Sequence, residues 1–254
     1  MARSLASTGA RILILERGER LPREPQNTDP HAVFVQRRYR APERWLDGAG
    51  QPFQPGQYYF VGGHTKFYGT AMFRFRARDF EATEHADGTS PAWPISYADL
   101  EPYYAEAERV FGVHGQAGQD PTEPPRTSAY PHAAIPHEPL IGALAEKLAG
   151  QGLHPFHMPS AVDMHPGGGC VRCGTCDAFP CAVGAKGDAE TRLIDPALQH
   201  PNVTLQTGSQ VLRLLTDARG QRIVAAEVMH QGEVQTIRAP LFILSAGAIN
   251  SALL

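Results

Sequence analysis

The segment Arg11-Ile12-Leu13-Ile14-Leu15-Glu16-Arg17-Gly18 constrains the fold of this chain more than any other. Four consecutive apolar residues stopped by an acid and a glycine read as a parallel strand buried on both faces, because strands covered on both sides lose polar alternation. In dinucleotide-binding α/β folds the second strand ends in an acidic residue that accepts hydrogen bonds from the ribose hydroxyls. Glu16 stands at that place, with Arg17 beside it. A solvent-facing carboxylate at the end of an ordinary strand fits the same pattern, so the strand alone leaves both readings open. The G-x-G-x-x-G turn that brings a pyrophosphate to a helix N-terminus is expected roughly twenty to thirty residues before such an acid, and fifteen residues precede Glu16. Met1 to Thr8 is therefore read as the tail of the first helix, with the first strand and phosphate loop expected to be missing.

Composition narrows the class. With 254 residues, 42% hydrophobic and 19% charged, the chain has the apolar content for a sizeable core and too little charge for disorder. Its 25 glycines and 22 prolines point to a loop-rich α/β chain and away from a helical bundle. A net charge of −3 gives no electrostatic footprint for nucleic acid or an anionic membrane, so a small molecule is the expected partner. No apolar run of about 18 residues is present, so no transmembrane segment is expected. Met1 to Gly9 is too short and polar for a secretory signal, which makes the cytoplasm the expected compartment.

Leu21 to Tyr58, rich in Pro, Arg and Gln, reads as a long surface excursion. Then follows Phe60-Val61-Gly62-Gly63-His64-Thr65-Lys66-Phe67-Tyr68-Gly69-Thr70-Ala71-Met72-Phe73-Arg74. Paired glycines beside a hydroxyl residue permit close backbone approach to a ligand and leave N–H groups for phosphate oxygens; most Gly-Gly pairs are plain turns. In Trp93-Pro94-Ile95-Ser96-Tyr97-Ala98-Asp99-Leu100-Glu101-Pro102-Tyr103-Tyr104, Ser96 or Asp99 caps a helix expected to carry Leu100, Tyr103, Tyr104, Ala107 and Val110 on one side. Leu140 to Gly150 has the spacing of an amphipathic helix, with Leu140, Leu144 and Leu148 in register.

All four cysteines fall within twelve residues, as Cys170-x2-Cys173-x2-Cys176-x4-Cys181. Clustered thiolates can close around one metal at little cost in loop entropy. Three readings stay open. An iron–sulfur cluster is suggested by closeness to C-x2-C-x2-C-x3-C, from which the last interval departs by one residue. A structural zinc usually has its cysteine pairs farther apart. The third reading is a loop of buried thiols or disulfides with no metal, the disulfides being disfavoured in a cytosolic protein. Lys186, just downstream, reads as a solvated charge or as a ligand for substrate or flavin.

Asn202 to Gly208, Val211 to Leu215, Ile223 to His230 and Val234 to Arg238 are short β-branched strands separated by turn residues. Ala239 to Leu254 reads as an apolar strand, a small-residue turn at Ala246-Gly247 and a helix start, an arrangement suited to a ligand phosphate or ribose.

In this order, these motifs resemble the GMC (glucose-methanol-choline) FAD-dependent oxidoreductases. Gly62-Gly63-His64-Thr65 with its aromatic sequel is similar to the first signature of that family, Trp93 to Tyr104 to its Trp-Pro-Ile-Ser-Tyr segment, and Gly247 to Leu254 to its second signature, with Ala252 where Pro is usual. The Cys-rich stretch and Cys181-Ala182-Val183-Gly184-Ala185-Lys186 resemble a bacterial sugar and alcohol dehydrogenase branch, some of whose members ligate an iron–sulfur cluster there. The resemblance implies an FAD-binding Rossmann-like part over residues 1–80, a cap or substrate segment over 81–200 and a return to the FAD domain with its β meander over 201–254. It implies flavin contacts at Glu16, Arg17, Gly62, Gly63, Thr65, Gly69, Thr70, Val211, Ala246 and Gly247, with Val211 meeting the adenine through its backbone. The implied activity is hydride transfer from a CH–OH group of an alcohol, sugar or sugar derivative to flavin, which oxygen, quinone or an electron-acceptor protein then reoxidises. The catalytic His of the family is expected far downstream, none of the eleven histidines here matches it, and the chain is expected to be inactive alone. The contrasting expectation is a flavin-free binding protein or an electron-transfer module built on the four cysteines.

Overall fold

A computed structural model describes residues 1–254. In chain order its elements are α1 (Ala2–Ala6), β1 (Ile12–Leu15), β2 (Trp45–Leu46), β3 (Pro52–Phe53), β4 (Thr83–His85), β5 (Gly88–Ser90), α2 (Tyr97–Phe111), β6 (Val113–Gly115), β7 (His132–Ala133), α3 (Pro139–Ala149), β8 (Ser160–Ala161), α4 (Asp195–Ala197), β9 (Val203–Gln206), β10 (Ser209–Thr216), β11 (Ile223–His230), β12 (Glu233–Arg238) and α5 (Ala248–Leu253). The chain divides into two compact units. The first holds Met1–Glu24, Pro30–His64 and Leu193–Leu254; the second holds Pro25–Asp29 and Thr65–Arg192.

In the first unit β1 runs parallel to β9, with Ile12 opposite Val203 and Leu15 opposite Gln206. Ala6 of α1, Ala197 of α4 and Val203 form the core of this layer, with Ile12 and Ile14 packed on it. The side-chain amide of Asn202 donates to the carbonyls of Ala6 and Ala10, tying the turn before β9 to the end of α1. The expected parallel strand is present, but only one of its faces is covered. Side chains alternate across a strand, and Leu13, on the face away from α1 and α4, remains 42% exposed in this two-stranded sheet.

β10, β11 and β12 form an antiparallel meander with a register break between Val211 and Arg213. Val203–Gln206 is not part of it, as its parallel partner is β1. The apolar stretch Pro240–Leu244 is not a strand either; Leu241, Ile243 and Leu244 lie exposed, since apolar residues make a strand only beside a backbone to pair with. The small-residue turn and the helix after it, α5, do form as the sequence indicates.

The second unit centres on α2. Ser96 is its N-cap and Asp99 closes a capping box, while Gly112 ends it in the left-handed conformation. Of the apolar face expected, Leu100, Tyr104, Ala107 and Val110 are half-buried and Tyr103 is 67% exposed, while Tyr97, Glu101 and Glu108 turn fully inward. The reason is Arg74, buried beneath them. Its Nε and Nη2 form a two-pronged bond to Glu108, each at 2.8 Å, and its Nη1 donates to Tyr97 Oη at 2.9 Å and Glu101 Oε1 at 3.0 Å. β7, β6 and β8 form a small mixed sheet and β4–β5 a hairpin. α3 has its expected register, but Leu140 is 80% exposed and Leu144 is exposed as well, so the stripe lies on the surface.

Candidate functional site

Glu16 sits at the C-terminal end of β1. Its backbone continues the pairing, donating to Gln206 O at 3.0 Å and accepting from Ser209 N at 2.8 Å. Its Oε1 accepts the Gly18 N–H at 2.8 Å. Burial pushes this carboxyl above its ordinary value, against the lowering pull of the Gly18 and Arg17 backbone N–H groups. Gly18 is required by packing: a Cβ there would lie 1.7 Å from the Tyr59 carbonyl oxygen. Arg17 turns to protein partners, pairing with Glu43 and lying 4.1 Å over the Tyr59 ring, whose hydroxyl donates to Glu43 at 2.6 Å.

Gly62 and Gly63 take successive positive φ values of 90° and 52°, a conformation other residues adopt at a cost. Gly63 N–H donates to Phe60 O at 2.7 Å, and a 3₁₀ turn over Gly63–Lys66 follows. Val211 is half-buried on β10, opposite Val228 and beside the register break. Gly247, at φ 87°, precedes α5, and the Ala246 N–H donates to Ser251 Oγ at 3.1 Å.

In the second unit Thr65 Oγ1 accepts the Ala189 N–H at 2.9 Å. A Cβ on Gly69 would lie 3.2 Å from Asp177 Oδ1, so this position is closely covered by the cysteine loop. Thr70 is 4% exposed and has φ 67°, an outlier for a β-branched residue, and its carbonyl accepts from Ala161 N–H at 2.9 Å.

The four cysteines are free thiols, and they line one cavity of about 250 Å³ with Val162 and Lys186. No group of three or more His, Cys, Asp or Glu side chains is arranged as a metal-holding set. Positive-φ turns at Arg172, Gly174 and Ala178 reverse the loop repeatedly, and its sulfurs engage local groups. Cys170 Sγ accepts the Arg172 N–H at 3.4 Å and Cys173 Sγ lies 3.2 Å from Thr175 Oγ1. That hydroxyl contact holds the Cys173 thiol below its ordinary value, whereas burial pushes Cys176 up.

A family profile described as GMC oxidoreductase matches residues 56–254, more than half of the chain. The chain belongs to the GMC oxidoreductase family. Among its GMC relatives, 6'''-hydroxyparomomycin C oxidase of Streptomyces lividus is 34% identical over 98% of this chain and 46% of its own length. Paromamine 6'-oxidase of Streptomyces fradiae is 33% identical over 98% of this chain and 45% of its own length. An FAD-dependent oxidoreductase of known structure from Chaetomium thermophilum superposes with a TM-score of 0.57 at 14% identity, over 94% of this chain and 42% of that one, a likeness of fold. The chain thus spans a little under half the length of the relatives it matches.

Two constellations of this GMC chain escaped the sequence reading. One is Lys186, not a solvated charge but the largest fully buried side chain; no local pattern marks a lysine two of whose four acceptors, Lys66 O and Tyr68 O, lie over a hundred residues away. The other is a stack of three imidazoles, with His114–His132 and His132–His165 ring centroids each 4.8 Å apart and His165 3.4 Å from Asp163. Their wide separation in sequence conceals it. His64 is exposed and bonded to Gln57. No helix is long and apolar enough to cross a membrane.

Proposed function

We propose that this chain forms the flavin-holding part of an FAD-dependent oxidoreductase that oxidises a CH–OH group of an alcohol, sugar or sugar derivative. The observation that carries the reading is the family match over residues 56–254, to which the parallel strand ending in Glu16 adds a ribose acceptor. A carboxylate engaged by one or two backbone N–H groups retains acceptor capacity for hydroxyls, so Glu16 suits the ribose of the adenosine. Val211 offers its backbone to the adenine. Gly62, Gly63 and Thr65 offer a backbone surface to the pyrophosphate and ring system, the covered Gly69 and Thr70 shape that segment, and Ala246-Gly247 gives the turn before α5. Arg17, held by Glu43 and Tyr59, contributes a fixed positive charge next to Glu16.

When bound, FAD supplies a hydride acceptor at N5. The part of this chain is to bind and orient, since none of its histidines matches the position of the family's base. Amino sugars are one substrate class in view, because the two relatives at 33–34% identity are named for oxidation of paromamine and a hydroxyparomomycin. A protein electron acceptor belongs to the same proposal. The four thiols form no metal-holding group, so the electron acceptor belongs outside the cysteine loop. Four unpaired thiols accord with a reducing compartment such as the cytoplasm.

The test is the absorption spectrum, with released flavin and iron measured, of the full-length protein carrying this chain, beside its Glu16→Leu variant. We expect bound FAD, oxidation of a sugar or amino-sugar alcohol, and an FAD affinity at least tenfold weaker in the variant. A colourless, inactive protein would return the chain to a flavin-free binding role.

A further inference from the structure

Lys186 is 1% exposed, and its Nζ lies 3.1 Å from Lys66 O, 2.8 Å from Tyr68 O, 2.6 Å from Cys176 O and 2.8 Å from Phe179 O. All four hydrogen-bond acceptors are backbone carbonyls. They come from two segments more than a hundred residues apart in sequence, the one following the Gly62-Gly63 turn and the cysteine loop. Burial of an ammonium is costly unless dipoles or charges replace its water, and a leucine would fill apolar space at no such cost. A charge retained here is therefore performing the work of a cation between two loops, much as carbonyl oxygens replace the hydration shell of a bound ion.

The surrounding contacts tighten the same clasp. Ala178 N–H donates to Phe67 O at 2.7 Å, and Tyr68 Oη donates to Gly187 O. Thr65 Oγ1 accepts from Ala189 N, and Lys66 Nζ pairs with Asp188 and Glu190. Residues 65–68 are thus bonded both to the 176–179 loop and to 186–190. Thr70 follows directly in its positive-φ conformation, which persists only where the surroundings over-determine it.

We propose that Lys186 is a positioning residue: its ammonium, caged by four carbonyls, is the chain's built-in cation and fixes the Thr65–Thr70 segment in the conformation that receives flavin. The inference rests on the flavin reading above. It assigns the charge to Lys186 itself and needs no metal in the cysteine loop.

The experiment uses the full-length protein, with Lys186→Met, Lys186→Ala and wild type compared for FAD dissociation constant and flavin spectrum. Methionine keeps the length and loses the charge, and is expected to weaken FAD binding at least tenfold with secondary structure retained. Alanine opens the cage, so methylammonium chloride should restore FAD binding in Lys186→Ala. Tetramethylammonium, with no N–H to donate, should not. Should Lys186→Ala fold poorly in plain buffer, refolding it with each salt gives the same reading. FAD binding by Lys186→Met within twofold of wild type overturns the inference and leaves the flavin reading standing, as does an Ala variant that neither salt, or both salts equally, restore. Absence of FAD from the wild-type protein overturns both.

Discussion

Arg74 shows how one residue can organise a unit. Its guanidinium satisfies Glu108 twice, Glu101 and Tyr97 once each, and Glu108 is also bound by Arg126. Removing the cation leaves Glu108 to Arg126 and Glu101 to the Thr127 donors, with Arg74's share of both pairings lost, a loss of about 3–5 kcal/mol for a broken buried pair. Arg74→Ala should therefore lower the unfolding free energy by about that much in a urea titration, while Glu106→Gln, on the outer face of α2, should change it by less than about 0.5 kcal/mol. Glu101 carries a pH signature. The Thr127 backbone N–H, then Arg74, hold its carboxyl below the ordinary glutamate value. A lowered native pKa means that the unfolded chain binds the proton more tightly, so the contribution is present above about pH 4.3 and is lost as the pH falls below it. Glu101→Gln should flatten that acid limb of stability, measured as melting temperature against pH; an unchanged slope would place the acid sensitivity elsewhere.

At the scale of elements, local chemistry was legible and pairing was not. Ser96 and Asp99 announce the start of α2, and both make the capping bonds that their spacing indicates, Ser96 Oγ accepting the Asp99 N–H and Asp99 Oδ2 the Ser96 N–H. Ser96→Ala should cost about 1 kcal/mol, read as a shift of the denaturation midpoint with an unchanged slope. The inward face of that helix was not legible, because two glutamates read as solvent-facing until Arg74 supplies their counter-charge. Strand partners escaped for a related reason. Sequence pattern marks Val203–Gln206 and Pro240–Leu244 alike as strands, but only the first finds a backbone to pair with, in β1. The meander β10–β12 was legible because each strand follows its neighbour through a short turn, so local sequence carries the pairing.

For the whole molecule, the family was legible from strings of residues whose order is itself informative: the acid-terminated strand, the Gly62-Gly63 turn, the Ser96 cap and the Ala246-Gly247 turn. The cysteine cluster was the exception, since spacing alone does not choose among cluster, zinc and free thiols, and what the fold adds is that all four thiols line one cavity. If the family signatures report a flavin site, ligand and protein stability are linked: a cofactor present at about one hundred times its dissociation constant should raise stability by roughly 2.7 kcal/mol. Stripping flavin from the full-length protein should then lower its melting temperature, and adding FAD back should restore it. The most direct measurement of the central claim is titration of that flavin-stripped protein with FAD, beside Glu16→Leu, followed by the change in flavin absorbance. The account predicts saturable binding by the wild type and at least a tenfold larger dissociation constant for the variant. Equal affinities would contradict the role of Glu16, and no binding by either would contradict the flavin site itself.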